Sequence, residues 1–239
     1  MNILMKRFGT GYGGFYYPEN LEPLNSESVI YCVGAGEDIS HDVEIAHKLG
    51  SNVYIFDPTP RAIQHVDYIT KILNHEEELI HDKRYGGGDP TYLYQVMSHR
   101  IDPEKIKMFP YGLHTEDGDK KFYKPTNTEY VSHSAVPGMK SDAFIVVPMK
   151  TLQTIMKELD HDHIDLLKID IEGSECDVID QMLDLRIFPK YLAIDFDLGW
   201  TGEKIRDMDR CKSTVEKLTN HGYKIIHHEN SDFSFMKVN

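Results

Sequence analysis

The sequence predicts an α/β protein built on one doubly wound, mostly parallel sheet that closes in an antiparallel hairpin. Three observations carry this expectation. Short apolar runs alternate with segments of helical period from residue 28 onward, two of those runs break at a Gly or an acid where a helix begins, and the last two runs, 223–228 and 233–238, are too close for a crossover.

The elements follow in order. After a Gly- and Tyr-rich opening, Gly9 to Tyr17, the run Ser28-Val-Ile-Tyr-Cys-Val33 reads as a buried strand ending at Gly34-Ala-Gly36, and residues 39–49 have helical spacing. A second strand, Asn52-Val-Tyr-Ile-Phe56, ends at Asp57-Pro-Thr-Pro60; Pro60 suits a first helical turn and Thr59 its cap, so a helix is expected over 60–74. Residues 75–100, centred on Arg84-Tyr-Gly-Gly-Gly-Asp-Pro90, read as an insertion or lid outside the core, and residues 1–27 as an N-terminal cover of the same single domain, 1–239. Strand signals return at 106–113, with a hairpin over 117–123, a loop at Val131-Ser-His-Ser-Ala135 and a strand at 143–147. Helix 151–159, strand 164–169, helix 174–184, strand 191–196 and helix 203–220 lead to the closing hairpin.

Composition narrows the function. Acids outnumber bases 39 to 26, a formal charge of −13, and no segment gathers Lys and Arg with aromatics, which excludes a nucleic-acid surface. Cys32, Cys176 and Cys211 are far apart without CxxC spacing, pointing to buried thiols in a reducing compartment and away from structural zinc. No run approaches the roughly 20 apolar residues of a membrane helix and residues 1–10 hold too short an apolar core for a secretion signal, so a cytoplasmic location is expected.

Two motifs carry chemistry. Val33-Gly-Ala-Gly-Glu-Asp-Ile39 links a strand to a helix, where glycines admit a ligand to the backbone. The third glycine of a dinucleotide fingerprint falls at Ile39, and Glu37 and Asp38 oppose a pyrophosphate, so a cationic or zwitterionic ligand such as S-adenosylmethionine fits better than NAD; a plain tight turn is the alternative. Asp57 ends the next strand about twenty residues on, where an acid accepts from a ribose diol, or else caps an Asp-Pro turn. In Ile164-Asp-Leu-Leu-Lys-Ile-Asp-Ile-Glu-Gly-Ser-Glu175 an apolar run ends in Asp170 and Glu172, at the strand edge where α/β proteins bind ligands.

Together Cys32-Val-Gly-Ala-Gly-Glu-Asp-Ile-Ser40, Phe56-Asp-Pro-Thr-Pro-Arg61, Tyr111-Gly-Leu113, Ser132-His-Ser134 and Leu167-Lys-Ile-Asp-Ile-Glu-Gly-Ser-Glu175 resemble the FkbM family of S-adenosylmethionine-dependent methyltransferases, as does Tyr12-Gly-Gly14 before the first strand. The resemblance implies a Rossmann-like class I methyltransferase fold and O-methylation, typically of a sugar hydroxyl in a glycan or glycoconjugate. It places Gly34, Ala35, Gly36 and Glu37 along the methionine portion, Asp57 and Pro58 at the ribose, Arg61 with Tyr111, Gly112 and Leu113 on the adenosine side, and Asp170 and Glu172 at the reacting edge. Two positions depart from it: Cys32 stands where many methyltransferases carry an acid, and Asp195-Phe-Asp197 where a Glu-Phe-His-type sequence is frequent.

The acceptor's base is open among Asp170, Glu172, Asp195 and His133, and a crowded acid cluster would raise one carboxylate toward neutrality. An alternative is Mg²⁺ or Mn²⁺ held by Asp170, Asp195 and Asp197. Tyr12, Tyr16, Arg84, Tyr85 and Trp200 are candidates for a carbohydrate pocket. A protein, lipid or phenolic acceptor, and a nucleotide-binding module without catalysis, are the rival readings, and the chain is compatible with being part of a larger multidomain glycan-processing protein.

Overall fold

A computed structural model describes residues 4–80, 82–197 and 207–238. The chain opens with an antiparallel pair, β1 (Met5–Phe8) and β2 (Phe15–Pro18), which the Gly-rich opening does not announce. Then come β3 (Ile30–Val33), α1 (Ser40–Leu49), β4 (Val53–Phe56), α2 (Pro60–Leu73), α3 (Tyr92–Ser98), β5 (Ile106–Phe109), β6 (Gly112–Leu113), β7 (Gly118–Tyr123) and β8 (Phe144–Lys150). The second half holds α4 (Leu152–Glu158), β9 (Leu166–Ile169), α5 (Glu175–Asp184), β10 (Tyr191–Asp195), α6 (Met208–Asn220), β11 (Tyr223–Glu229) and β12 (Asp232–Lys237). Trp200 and the expected helical residues 203–206 lie outside the described residues.

The main sheet has seven strands in the order β11-β12-β10-β9-β3-β4-β5. Strands β5, β4, β3, β9 and β10 are parallel, and β12 and β11 return antiparallel as the expected hairpin. The architecture is the mixed α/β one that the sequence predicts, with a largely parallel centre. Order reverses between β3 and β9: β3 leads outward to β4, while β9 leads the other way to β10, so the two strand ends splay into a crevice.

Both sheet faces are covered, which explains why the central strands read as continuous apolar runs. Ile30, Cys32 and Leu166 face one core with Val43, Val66, Ile69 and Tyr92; Tyr31, Val33 and Leu167 face the other with Ile155, Ile179, Met182 and Leu218. Neighbours along one strand thus enter different cores, as a period of two requires.

Four expectations need correction. Residues 75–100 are not all peripheral: Tyr92, Leu93 and Val96 on α3 are buried, and the Tyr92 hydroxyl accepts from the Ile39 amide (3.1 Å) and meets His65 Nε2 (2.8 Å). A seven-residue helix preceded by three glycines leaves too short an amphipathic stripe to read. The expected strand 106–113 breaks at Pro110, and β6 joins a separate three-stranded sheet, β6-β8-β7. The expected hairpin over 117–123 is instead one strand, Gly118–Tyr123, paired with β8 after a long connection. Thr59 stands at the N-cap of α2, yet its hydroxyl donates to Asp57 and caps nothing.

Because β9 is clad on both sides, Leu166→Ala and Leu167→Ala should each cost about 2–5 kcal/mol, read as the shift in urea midpoint. A sheet with one solvated face would leave one of the two nearly neutral.

Candidate active site

The crevice between β3 and β9 is a cleft of about 970 Å³, part of it open to solvent. Its floor is the turn Gly34-Ala-Gly36. Gly34 takes φ +85°, and a Cβ there would lie 1.8 Å from the Asp170 carbonyl oxygen, so only glycine fits where β3 and β9 come together. The Lys168 ammonium, 2% exposed in the middle of β9, donates to the Gly34 carbonyl at 2.8 Å and locks this contact.

The start of α1 is closed by the protein's own groups. Asp38 Oδ1 accepts from the Ser40 amide (2.9 Å) and hydroxyl (2.6 Å), Oδ2 from Thr10 Oγ1 (2.5 Å), and the Ile39 amide is held by Tyr92. The Ile39 and Ser40 amides are thus satisfied from within the protein.

Carboxylates dominate the reacting edge. Asp170, Glu172 and Asp195 line the cleft. Burial, then the neighbouring Asp195, pushes the Asp170 pKa up to about 7, with Lys168 opposing; burial and Asp232 push Asp195 up to about 6. Burial raises Asp197 and Glu175 well above the ordinary range, and Asp232 to about 6. Asp195 Oδ1, Asp197 Oδ2 and Glu175 Oε2 are buried with no hydrogen-bond partner among the described residues. Glu172 has φ +61°, rare for a side-chain-bearing residue, and is held there by Ser134 Oγ on its carbonyl (2.5 Å) and Lys140 on its carboxylate (2.7 Å). The trio whose oxygens come within 4.8 Å of one another is Asp170, Glu172 and Asp197, with Glu172 in the place expected of Asp195.

The remaining candidates divide. Ala35, Glu37, Pro58, Gly112, Leu113, His133 and Tyr12 line the cleft with the glycines. His133 Nδ1 donates to the Val131 carbonyl (2.7 Å), which leaves Nε2 as the basic nitrogen of the neutral ring. Asp57 also lines it, but Oδ2 accepts from the Ala35 and Gly36 amides and Oδ1 from the Thr59 amide and hydroxyl. Its four acceptor positions are filled, and a ribose diol would reach it only by displacing a partner such as the Thr59 hydroxyl.

Arg61, Tyr111, Tyr16 and Tyr85 do not line the cleft. Arg61 pairs with Glu37 (2.5 Å) and donates to the carbonyls of Thr128, Glu129 and Tyr130, pinning that loop beside the glycine turn. Tyr111 packs under the Lys150 ammonium, Tyr16 against His227, and Tyr85 against His65. Arg84, ion-paired with Asp82, lines a second hollow that shares Tyr12, Glu37, Val131 and Ser132 with the cleft. Sequence reasoning missed Lys168 as a site residue, although a lysine inside an otherwise apolar strand was the available signal.

A family model described as the Methyltransferase FkbM domain matches residues 29–225. The chain belongs to the FkbM methyltransferase family. A search of curated proteins finds no significant match. Among solved structures, the Methanococcus jannaschii fibrillarin pre-rRNA processing protein aligns at 13% identity and TM-score 0.41, over 97% of this chain and 82% of that one.

FkbM methyltransferase membership implies S-adenosylmethionine as cofactor, and the donor set fits it: Asp170, Glu172 and Asp195 line the cleft with carboxylates suited to its sulfonium and ammonium charges, and the glycine turn admits it to the backbone. No helix among the described residues is long and apolar enough to cross a membrane.

Arg61→Ala should release the segment over the turn. Hydrogen exchange of the 128–131 amides is expected to accelerate while that of β9 is unchanged.

Proposed function

We propose that this methyltransferase moves a methyl group to a hydroxyl of a sugar in a glycan or glycoconjugate. One observation carries the reading: Asp170, a carboxylate whose pKa is held near 7, stands on the same cleft wall as the glycine turn. An alcohol acceptor needs a proton acceptor effective near neutrality, and a positioned base contributes roughly 10²- to 10⁴-fold.

Bound S-adenosylmethionine supplies the electrophilic methyl group. The chain's own residues do the rest. Gly34, Ala35, Gly36, Glu37, Asp57 and Pro58 form the cofactor side, Asp170 receives the hydroxyl proton, and Glu172, fixed by Lys140 and Ser134, orients the acceptor oxygen. Holding nucleophile and methyl carbon in line supplies effective molarities of roughly 10⁵–10⁸ M. The hollow lined by Tyr12, Arg84 and Tyr130 adjoins the cleft and combines ring faces with hydrogen-bond donors, as a pyranose requires. A second reading, with Mg²⁺ or Mn²⁺ acidifying the hydroxyl, draws on the approach of Asp170, Glu172 and Asp197 and on the unpartnered Asp197 Oδ2. Three free buried cysteines suit the reducing cytoplasm, and the acid excess suits an acceptor other than nucleic acid.

Labelled S-adenosylmethionine offered with glycans, free sugars, lipids, phenols and protein should place label on a carbohydrate oxygen, located by mass spectrometry. Label found only on the other acceptors would overturn the sugar reading. Activity surviving EDTA, with no gain from added Mg²⁺ or Mn²⁺, would remove the metal.

For Asp170 the folded pKa of about 7 lies above the unfolded value of about 3.9, so its ionisation favours the unfolded chain. Stability from this group is present below about pH 4 and lost as pH rises through 7. Asp170→Asn should therefore lower kcat/KM about 10²- to 10⁴-fold yet raise the melting temperature at pH 8, the stability difference shrinking toward pH 4.

A further inference from the structure

Behind the glycine turn lies a second cluster that methyl transfer does not use. Cys32 on β3 and His41 and Asp42 on the first turn of α1 are at most 1% exposed, and one donor atom from each lies within 4.8 Å of the other two. His41 Nδ1 is 3.9 Å from Cys32 Sγ and 3.8 Å from Asp42 Oδ2. Among the described residues neither Asp42 oxygen has a donor at ordinary hydrogen-bond distance, only the looser approaches of His41 and Cys32, though the residue is 0% exposed. A buried carboxylate left so is costly unless a cation meets it. The nearby Lys168 ammonium acts on it only through space, since its hydrogen bond goes to the Gly34 carbonyl.

We propose that Cys32, His41 and Asp42 bind a divalent transition-metal ion, with zinc the best match. One sulfur, one imidazole nitrogen and one carboxylate oxygen form a donor set for zinc and its neighbours, not for Mg²⁺ or Ca²⁺, which take oxygen alone. His41 is oriented for it: Nε2 meets the Tyr17 hydroxyl at 3.1 Å, which turns Nδ1 toward Cys32 and Asp42, as an outer partner does for a ligating histidine. Zinc bonds of about 2.3 Å to sulfur and about 2.0 Å to nitrogen, at a tetrahedral angle, put those donors about 3.5 Å apart. The observed separation is a few tenths of an ångström wider, within reach of a small side-chain adjustment. A thiolate and a carboxylate would neutralise the ion and leave Lys168 to Asp38 and Asp170. The metal would then join β3 to α1 directly behind the cofactor turn, as a structural pin. A single cysteine nine residues before the histidine matches no zinc spacing, so sequence alone points the other way.

Metal content is the direct test. Protein purified without chelators or metal-affinity resin, and protein refolded with equimolar Zn²⁺, should carry one zinc per chain by plasma mass spectrometry and melt higher than the zinc-free form. Refolding with Co²⁺ should give a near-ultraviolet thiolate-to-cobalt charge-transfer band. Cys32→Ser should lose the band, and Asp42→Asn, checked for folding by circular dichroism, should lose stoichiometric zinc, while Cys211→Ser keeps both. Substoichiometric metal with no band and no melting shift in the unaltered chain overturns the site. So does undiminished binding in both Cys32→Ser and a folded Asp42→Asn.

Discussion

The structure turns on one buried cation. Lys168 sits in the middle of a parallel strand with 2% exposure, donates to the Gly34 carbonyl, and has Asp38, Asp42 and Asp170 as its surrounding charges. Burial alone would depress its pKa, but those carboxylates outweigh it and hold the ammonium charged. Geometry and charge are thereby set together: the bond to Gly34 fixes where β3 meets β9, and the charge tolerates several acids at the sheet edge that would otherwise repel one another.

The tolerance is incomplete, and this shapes the cleft. Lys168 lowers Asp170 and Asp195, yet burial and mutual repulsion still leave them near 7 and 6. At neutral pH the edge therefore shares protons among several oxygens, and its titration belongs to the group. A cationic ligand entering such a site pulls these pKa values down and expels protons. A sulfonium thus leaves the acid edge ionised.

Much of this was legible in the sequence. The parallel core, the closing hairpin, the glycine turn and the acids at the end of β9 all follow from periods of two and 3.6 and from glycines and acids at strand ends. What escaped depends on distance in the chain. Lys168 gains meaning only when β3 brings Gly34 beside it, 134 residues away in sequence. Asp57 reads as a ribose ligand, and only the fold shows that Thr59 and the Ala35 and Gly36 amides also bond it. Arg61 reads as an adenosine contact, but Glu37 and three loop carbonyls hold its fork. Residues 92–98 escaped for another reason: a two-turn helix with three buried side chains has no detectable period.

Arg61 also links the two sides of the cleft. Its partner Glu37 follows the glycine turn directly, while the carbonyls it holds belong to a segment whose neighbour Val131 lines both the cleft and the adjoining hollow. A ligand that drew the Glu37 carboxylate toward its own positive charge would weaken the pair with Arg61 and loosen residues 128–130. The second hollow is lined in part by Glu129 and Tyr130. The turn and the hollow beside it are therefore joined mechanically through one guanidinium.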